Sequence, residues 1–448
     1  MGETPRHRAD FVESAANPLE RPFLWGAATS AYQIEGASEN DWTAWERAGR
    51  LKPGAEPCGE GSGHRDRWRS DLQLLPEIGA NAYRFSVEWS RIEPLPGEFD
   101  SAELELEARR VALLERLGIE PVVTLLHYTH PLWFWREGGW ENSKSVDWFA
   151  RFADRVAEAL APRVRYWVTL NEPIVLLLGG YLSGAIPPGH SSFARSTGAL
   201  EHLLRAHAAA AAAIKARVPG ARTLIAHNML DFAPDRAGHP VDRRLSGEGE
   251  ALYNMALVEA VATGRVRWAF PGEGRAVFRI PELPASIDDF GVNYYSRVHL
   301  RFRGVVGRFA EFFYRDPRRR GLTQTGWEIH PEGFGRVLRA AAQAGRPILV
   351  TENGIATGDD RVRRDFLREH ALVLAHARQS GLSVKGYFYW SLLDNFEWLE
   401  GLRPRFGLFE VDYATFARRR RPSASLFAEL GRGFIRPGGG GSFSSFPG

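Results

Sequence analysis

The sequence predicts the α/β class and, within it, a single-domain (β/α)8 TIM barrel. Eight short apolar runs recur along the chain, helical patterns separate most of them, and the runs give way to polar residues at their carboxyl ends. The runs are Phe23–Thr29, Ala82–Ser86, Pro121–Leu126, Tyr166–Thr169, Thr223–Ala226, Asp289–Asn293, Ile348–Thr351 and Gly386–Trp390. Short, near-continuous apolar runs are the mark of strands buried on both faces. Strands alternating with helices imply parallel pairing through right-handed crossovers, and eight such units close into a barrel.

Helical periodicity is clear over Ala102–Leu117 before the third strand, Val146–Leu160 before the fourth and Leu200–Arg217 before the fifth. Another such stretch, Arg363–Arg378, lies between the seventh and eighth. A doubly wound open sheet is the structural alternative. It calls for a Gly-rich phosphate loop after the first strand, and WGAATSAYQIEG lacks the GxGxxG spacing. The stretches Asp231–Leu245 and Arg301–Gly326 read as long loops. The barrel is assigned to residues 22–436, with an N-terminal extension over 1–21 and a flexible Gly/Ser-rich tail over 437–448.

Charge is nearly balanced, Lys plus Arg 57 against Asp plus Glu 54, which argues against a nucleic-acid partner. The basic runs Arg315–Arg320 and Arg418–Arg421 read as solvated surface segments. Cys58 is the single cysteine, so no intramolecular disulfide can form. The N-terminal stretch shows no apolar signal core, and the alanine run Ala208–Ile214 falls far short of a bilayer span. A cytoplasmic protein without a membrane partner is expected. Fourteen Trp residues suit stacking on the flat C–H faces of sugars, though a plain core uses Trp as well.

Glu172 in RYWVTLNEP and Glu352 in PILVTENG each sit where an apolar, β-branched stretch yields to Asn and then Pro or Gly. That is the carboxyl end of a barrel strand, the rim where barrel active sites are built. Two carboxylates facing one cleft are what hydrolysis of a glycosidic bond requires. Other strand ends are polar too: Gln33 and Glu35 after the first, Arg84 in the second, His127 and Tyr128 after the third, and Asn171 beside Glu172. His227 and Asn228 follow the fifth, Asn293 and Tyr295 close the sixth, Asn353 the seventh, and Trp390 through Trp398 the eighth. A lone buried His or Asn is ordinarily a satisfied core group. Polar groups at nearly every strand end are harder to explain that way, since each costs about 1–3 kcal/mol if unsatisfied.

In chain order the stretches FLWGAATSAYQIEG, YRFSVEWSRI, VTLNEP, GVNYYS, GWEIHPEGF, LVTENG, YFYWSLLDNFEW and RFGL run from about Pro22 to Phe434. With them the chain strongly resembles glycoside hydrolase family 1, the retaining β-glucosidases and β-glycosidases. The resemblance implies a glycoside hydrolase acting on terminal non-reducing β-D-glycosides by double displacement. β-Glucosidase activity is expected first, with β-galactosidase and β-fucosidase activity beside it, and with no cofactor or metal. It implies Glu352 as nucleophile and Glu172 as acid/base, with Gln33, His127, Asn171, Glu397 and Trp398 on the glycone hydroxyls. Trp390 would floor the sugar ring, Tyr295 would place its hydroxyl near Glu352, and Arg84 and Asn293 would support the site. Tyr128 and Trp327 would wall the aglycone side. Partners are then small-molecule glycosides or oligosaccharides; oligomeric state is left open.

These roles set electrostatic demands. An isolated Glu carries its proton only about 0.2% of the time at pH 7. Glu172 is therefore expected to be raised by a charged Glu352 roughly 5 Å away. Glu352 is expected to be kept ionised by Arg84 and the Tyr295 hydroxyl. Three departures from the family's usual pattern stand out: Tyr128 where Trp is usual, Leu402 where Tyr is common before RFGL, and His130 in LHYTHPLWF. His130 reads as a rim histidine, at the aglycone entrance or without a role. The alternatives are a transglycosidase using the same intermediate, a 6-phospho-β-glycosidase and a non-catalytic sugar-binding homologue. A phosphate would face Glu397 at a cost of about 4 kcal/mol per unit charge at ~4 Å and an effective dielectric of ~20.

Overall fold

The eight expected strands all form and close on one another. They are β1 (Leu24–Ala28), β2 (Ala82–Ser86), β3 (Glu120–Leu126), β4 (Tyr166–Asn171), β5 (Arg222–Pro234), β6 (Phe290–Phe302), β7 (Ile348–Asn353) and β8 (Val384–Trp390). Each pairs in parallel with the next, β8 returns to β1, and the result is a (β/α)8 TIM barrel. The computed structural model describes residues 22–435, apart from 271, 305–309 and 318–319. The expected N-terminal extension (1–21) and tail (437–448) lie outside the described residues.

Every residue of β1, β2, β4 and β7 is buried, which is why these strands read as unbroken apolar runs. The register sets the rim. Asn293 lies opposite both Asn228 of β5 and Glu352 of β7, while Arg84 of β2 lies opposite Ala28. The turn after Glu352 needs glycine: a Cβ on Gly354 would stand 1.9 Å from the Trp390 carbonyl oxygen.

The helices form where periodicity and caps agree. Asp100 accepts from the amides of Ala102 and Glu103 and starts helix Ser101–Arg116. Helix Ser145–Leu160 buries Phe149, Phe152, Ala153, Val156, Ala157 and Leu160, a 3–4 stripe facing helix Phe193–Arg217. Helix Asp360–Gln379 begins at the Asp359 cap, slightly before the periodicity becomes clear. The last helix, Pro422–Ile435, packs on β1, where the Trp25 ring stacks on Phe427 at 4.6 Å and on Phe434 at 5.1 Å.

Of two expected loops, the first is largely regular structure and the second is so only in part. β5 and β6 run on past the barrel and pair as far as Pro234 with Leu300, after which helix Pro240–Gly249 occupies the rest of the first stretch. In the second, Ala310–Phe313 adds antiparallel to β6. Pro and Arg marked both stretches as irregular, but the backbone polar groups there find partners in a neighbour far along the chain, a pairing that local composition does not show.

The second basic run is a solvated segment only at Arg419 and Arg420, which are exposed; Arg418 and Arg421 turn inward. Arg418–Arg420 is a strand paired with Phe409–Val411, and alternation turns Arg418 inward onto buried Asp71, with two bonds of 2.7 Å. Arg421 makes the equivalent pair with buried Asp394, at 2.9 and 2.8 Å. In the first run Arg320 pairs with Glu369 at 2.7 Å and Arg315 with buried Asp235. Residues 318–319 of that run lie outside the described residues.

Candidate active site

A cleft of about 320 Å³ opens at the carboxyl ends of the strands. It is lined by Gln33, His127, Tyr128, Asn171, Glu172, Tyr295, Trp327, Glu352, Trp390, Glu397 and Trp398, together with Asn228, Tyr253, Tyr314 and Phe406. Arg84 and Asn293 lie just behind this lining, bonded to its carboxylates. The barrel therefore brings every candidate site residue to one place.

Glu352 is the penultimate residue of β7. Arg84 Nη1 donates to its Oε1 at 2.6 Å and the Tyr295 hydroxyl to its Oε2 at 2.5 Å. Arg84 is itself fully enclosed. Its remaining donors go to the Thr351 carbonyl, Thr124 Oγ1 and Asn171 Oδ1, so its fork cannot swing away from Glu352.

Glu172 follows β4 at the start of the short helix Pro173–Leu177. Proline disfavours the right-handed helical region for the residue before it. Glu172 resolves the strand-to-helix turn in the left-handed region instead, at φ 48° and ψ 55°. Tyr128 (φ 72°) and Trp398 (φ 53°) share that rare conformation. For residues other than glycine it costs on the order of 1–2 kcal/mol each, a strain commonly found at functional sites.

The carboxylate of Glu172 collects three donors. Asn293 Nδ2 reaches Oε1 at 2.7 Å, Asn228 Nδ2 reaches Oε1 at 3.1 Å, and the Tyr128 hydroxyl donates to Oε2. Tyr128, expected on the aglycone side, also packs edge-on to Trp398 with centroids 5.1 Å apart. Its ring thus stands between the acid/base candidate and the glycone candidates.

The charge balance differs from expectation at Glu352. Burial pushes its carboxyl up to about 7; Arg84 pulls it down, the charge of Glu172 pushes it further up, and the Tyr295 bond pulls it down. Arg84 and Tyr295 act in the expected direction, but desolvation outweighs them in this enclosed cleft.

Glu397 is also pushed well above the ordinary carboxylate range by burial, against a 3.1 Å bond from Trp390 Nε1. The expected repulsion between Glu397 and a phosphate is therefore weaker than a full charge would give. A separate feature bears on phosphate: among the described residues, no Lys or Arg lines the cleft.

His127 is buried, and desolvation, with the Arg84 charge adding, holds it well below 6.5 and so neutral. Its ring lies nearly parallel to Trp390 and Trp398, at 11° and 14°. Its Nδ1 finds no partner among the described residues. Gln33 is held by Asn395, the Phe396 carbonyl and Ser30. Trp327 packs on Tyr295 at 5.3 Å.

Three polar residues singled out at strand ends lie elsewhere. Glu35 is turned away into buried pairs with Arg91 and, at 2.7 Å, Arg110. His227 points to the outer face of β5 and meets the Tyr253 carbonyl at 3.1 Å, because alternation aims its neighbour Asn228 at the cleft. His130 is no rim residue: it is fully buried, with Nδ1 2.9 Å from Asp41 Oδ2 and Nε2 accepting from Trp140 at 2.8 Å. Asn228 carried a weak sequence signal as a polar strand-end residue. Tyr253 carried none, since a single Tyr in a helical stretch reads as core.

Comparison with known proteins agrees with this geometry. The family model described as glycosyl hydrolase family 1 matches residues 15–433. Beta-glucosidase A of Thermotoga maritima is 33% identical, over 91% of this chain and 96% of that one. A solved beta-glycosidase from Pyrococcus horikoshii superposes with a TM-score of 0.84 at 37% identity, covering 93% of this chain and 96% of that one. The Thermotoga maritima beta-glucosidase in complex with glucoimidazole superposes with a TM-score of 0.83 at 31% identity, covering 92% and 98%.

Proposed function

Since the chain belongs to glycosyl hydrolase family 1, we propose that its cleft hydrolyses terminal non-reducing β-D-glycosides with retention, glucosides first, with Glu352 as nucleophile and Glu172 as acid/base. The supporting observation is the pair itself: two buried carboxylates in one cleft, joined through the chain Glu352–Arg84–Asn171–Asn293–Glu172.

In the first step a Glu352 oxygen bonds to the anomeric carbon as the bond to the leaving oxygen breaks, and Glu172 gives that oxygen its proton. A covalent glycosyl ester results, in which Glu352 no longer carries charge. Glu172, now a carboxylate, takes a proton from water, whose oxygen attacks the same carbon and expels Glu352. Two inversions give net retention. Arg84 and the Tyr295 hydroxyl stabilise the Glu352 anion before attack and again as it departs. The unpartnered His127 Nδ1 and the Glu397 carboxyl are placed to bond glycone hydroxyls, with Trp390 and Trp398 offering ring faces.

The glucoimidazole bound by the Thermotoga maritima relative is consistent with a sugar-sized occupant. The absence of a cationic side chain among the described residues of the lining favours an unphosphorylated glycone. The reading is tested by following the anomer first released from an aryl β-D-glucoside by proton NMR. The β-anomer is expected, and prompt appearance of the α-anomer overturns it.

A further inference from the structure

Glu172 is bonded differently at its two oxygens, and the asymmetry is built in. The Asn293 and Asn228 amides both donate to Oε1, and each is locked in that orientation by a hydroxyl behind it. Thr351 Oγ1 donates to Asn293 Oδ1 at 2.6 Å, and the Tyr253 hydroxyl to Asn228 Oδ1 at 2.7 Å, so each NH2 group must face the glutamate. A carboxylate oxygen accepts about two good hydrogen bonds, and Oε1 has both. Among the described residues Oε2 takes only the Tyr128 hydroxyl, so this cleft-lining side chain keeps an acceptor site there.

We propose that Oε2 is the oxygen that carries the transferred proton and that Tyr128 is a positioning residue, bonded to that same oxygen and tuning Glu172 as acid and base. The inference rests on the glycosidase reading above. As the proton leaves Oε2 for the glycosidic oxygen and the bond to the anomeric carbon breaks, negative charge collects on Oε2. The Tyr128 hydrogen bond then changes from neutral to charge-assisted and strengthens. It is thus stronger in the transition state than in the ground state, the condition for accelerating the step. Tyr128 keeps its own proton throughout; burial, with the charge of Glu172 adding, holds its phenol well above 10.

Besides Tyr128, the titratable and charged groups facing Glu172 are Glu352, Glu397, Tyr253 and Tyr295, with Arg84 one asparagine away and neutral His127 beside that asparagine. None of the others bonds Oε2. A donor to a carboxylate favours its charged form, so losing it moves proton release to higher pH.

The test is the pH profile of kcat/KM on aryl β-D-glucosides with poor and with activated leaving groups. Tyr128→Phe is expected to move the alkaline limb up by about one pH unit and to lower kcat/KM about tenfold for the poor leaving group. For the activated one, which needs little acid assistance, the loss is expected to stay below about twofold. Tyr128→3-fluorotyrosine, a more acidic phenol and stronger donor, is expected to move the limb the other way. Equal losses for both leaving groups with an unmoved limb overturn the proposal. If Tyr128→Phe does not fold, the fluorinated variant decides, and an unmoved limb there overturns it. A wild-type protein that turns over no aryl β-glycoside overturns the glycosidase reading and this one with it, whereas failure of the limb shift in an active enzyme overturns this one alone.

Discussion

Arg84 Nη1 stands 2.6 Å from Glu352 Oε1, with both side chains shut away from solvent. A buried pair of this kind is set by desolvation as much as by attraction. Here burial prevails, and the nucleophile candidate sits up at about 7 despite its cation. The pH behaviour of this protein follows from that balance.

Tyr295→Phe is expected to shift the acidic limb of kcat/KM to higher pH. The Tyr295 hydroxyl bond pulls the Glu352 carboxyl down, so its loss strengthens proton binding there. A protonated Glu352 cannot attack, and activity is then lost at a higher pH as the medium is acidified. Steady-state profiles of the two proteins on one substrate check this; coincident limbs would sink it.

Glu352→Gln is expected to melt above the wild type near pH ~8, the gap closing toward pH ~5. The folded value, about 7, lies above the ordinary glutamate value of 4.5. The protonated carboxyl therefore suits the fold: its stabilising contribution is whole below the unfolded value and is lost as pH rises through the folded one. Neutralising the charge is worth roughly 3 kcal/mol at high pH, taking about 1.4 kcal/mol per pH unit. Calorimetry across pH checks the sign, and a variant that melts lower at alkaline pH contradicts it.

The two glutamates are expected to fail differently. Glu172→Ala is expected to lose roughly 10²–10⁴ in kcat/KM on poor leaving groups and much less on an activated aryl glycoside. Glu352→Ala is expected to abolish retaining turnover of both. Equal residual activity of the two variants on the activated substrate would reverse or dissolve the assignment.

His130→Ala is expected to cost stability and spare chemistry. It leaves the buried Trp140 N–H without its acceptor, at about 1–3 kcal/mol, and takes from Asp41 Oδ2 one donor while Trp135 Nε1 stays at 2.9 Å. Denaturant melts are expected to show this loss while kcat/KM stays within about twofold, since none of the hydrogen bonds of His130 reaches a residue lining the cleft. A large loss of kcat/KM in a folded variant would return His130 to the site.

The glutamates were readable from one dimension because each closes an apolar strand with a polar residue, and barrel strands end at the same rim. Asn171 and Asn293 were readable on the same grounds, whereas Arg84 lies inside its strand and its role followed from the resemblance alone. The partner of Tyr128 was not: the hydroxyl's bond to Glu172 spans 44 residues and depends on two left-handed backbone angles. Tyr253 was invisible because its role passes through Asn228. His130 misled because a histidine close to a strand's end looks the same on paper whether it faces the cleft or the core.

Periodicity, strand-end polarity and the order of motifs were enough to define the barrel, its rim and the two carboxylates, because these depend on near neighbours in the chain and on the alternation of strands and helices. Which oxygen of Glu172 is left free, how far burial lifts Glu352 and Glu397, and which arginines of a basic run turn inward were settled by three-dimensional packing. Desolvation and hydrogen-bond direction depend on every atom around a group, and those atoms come from all eight strands.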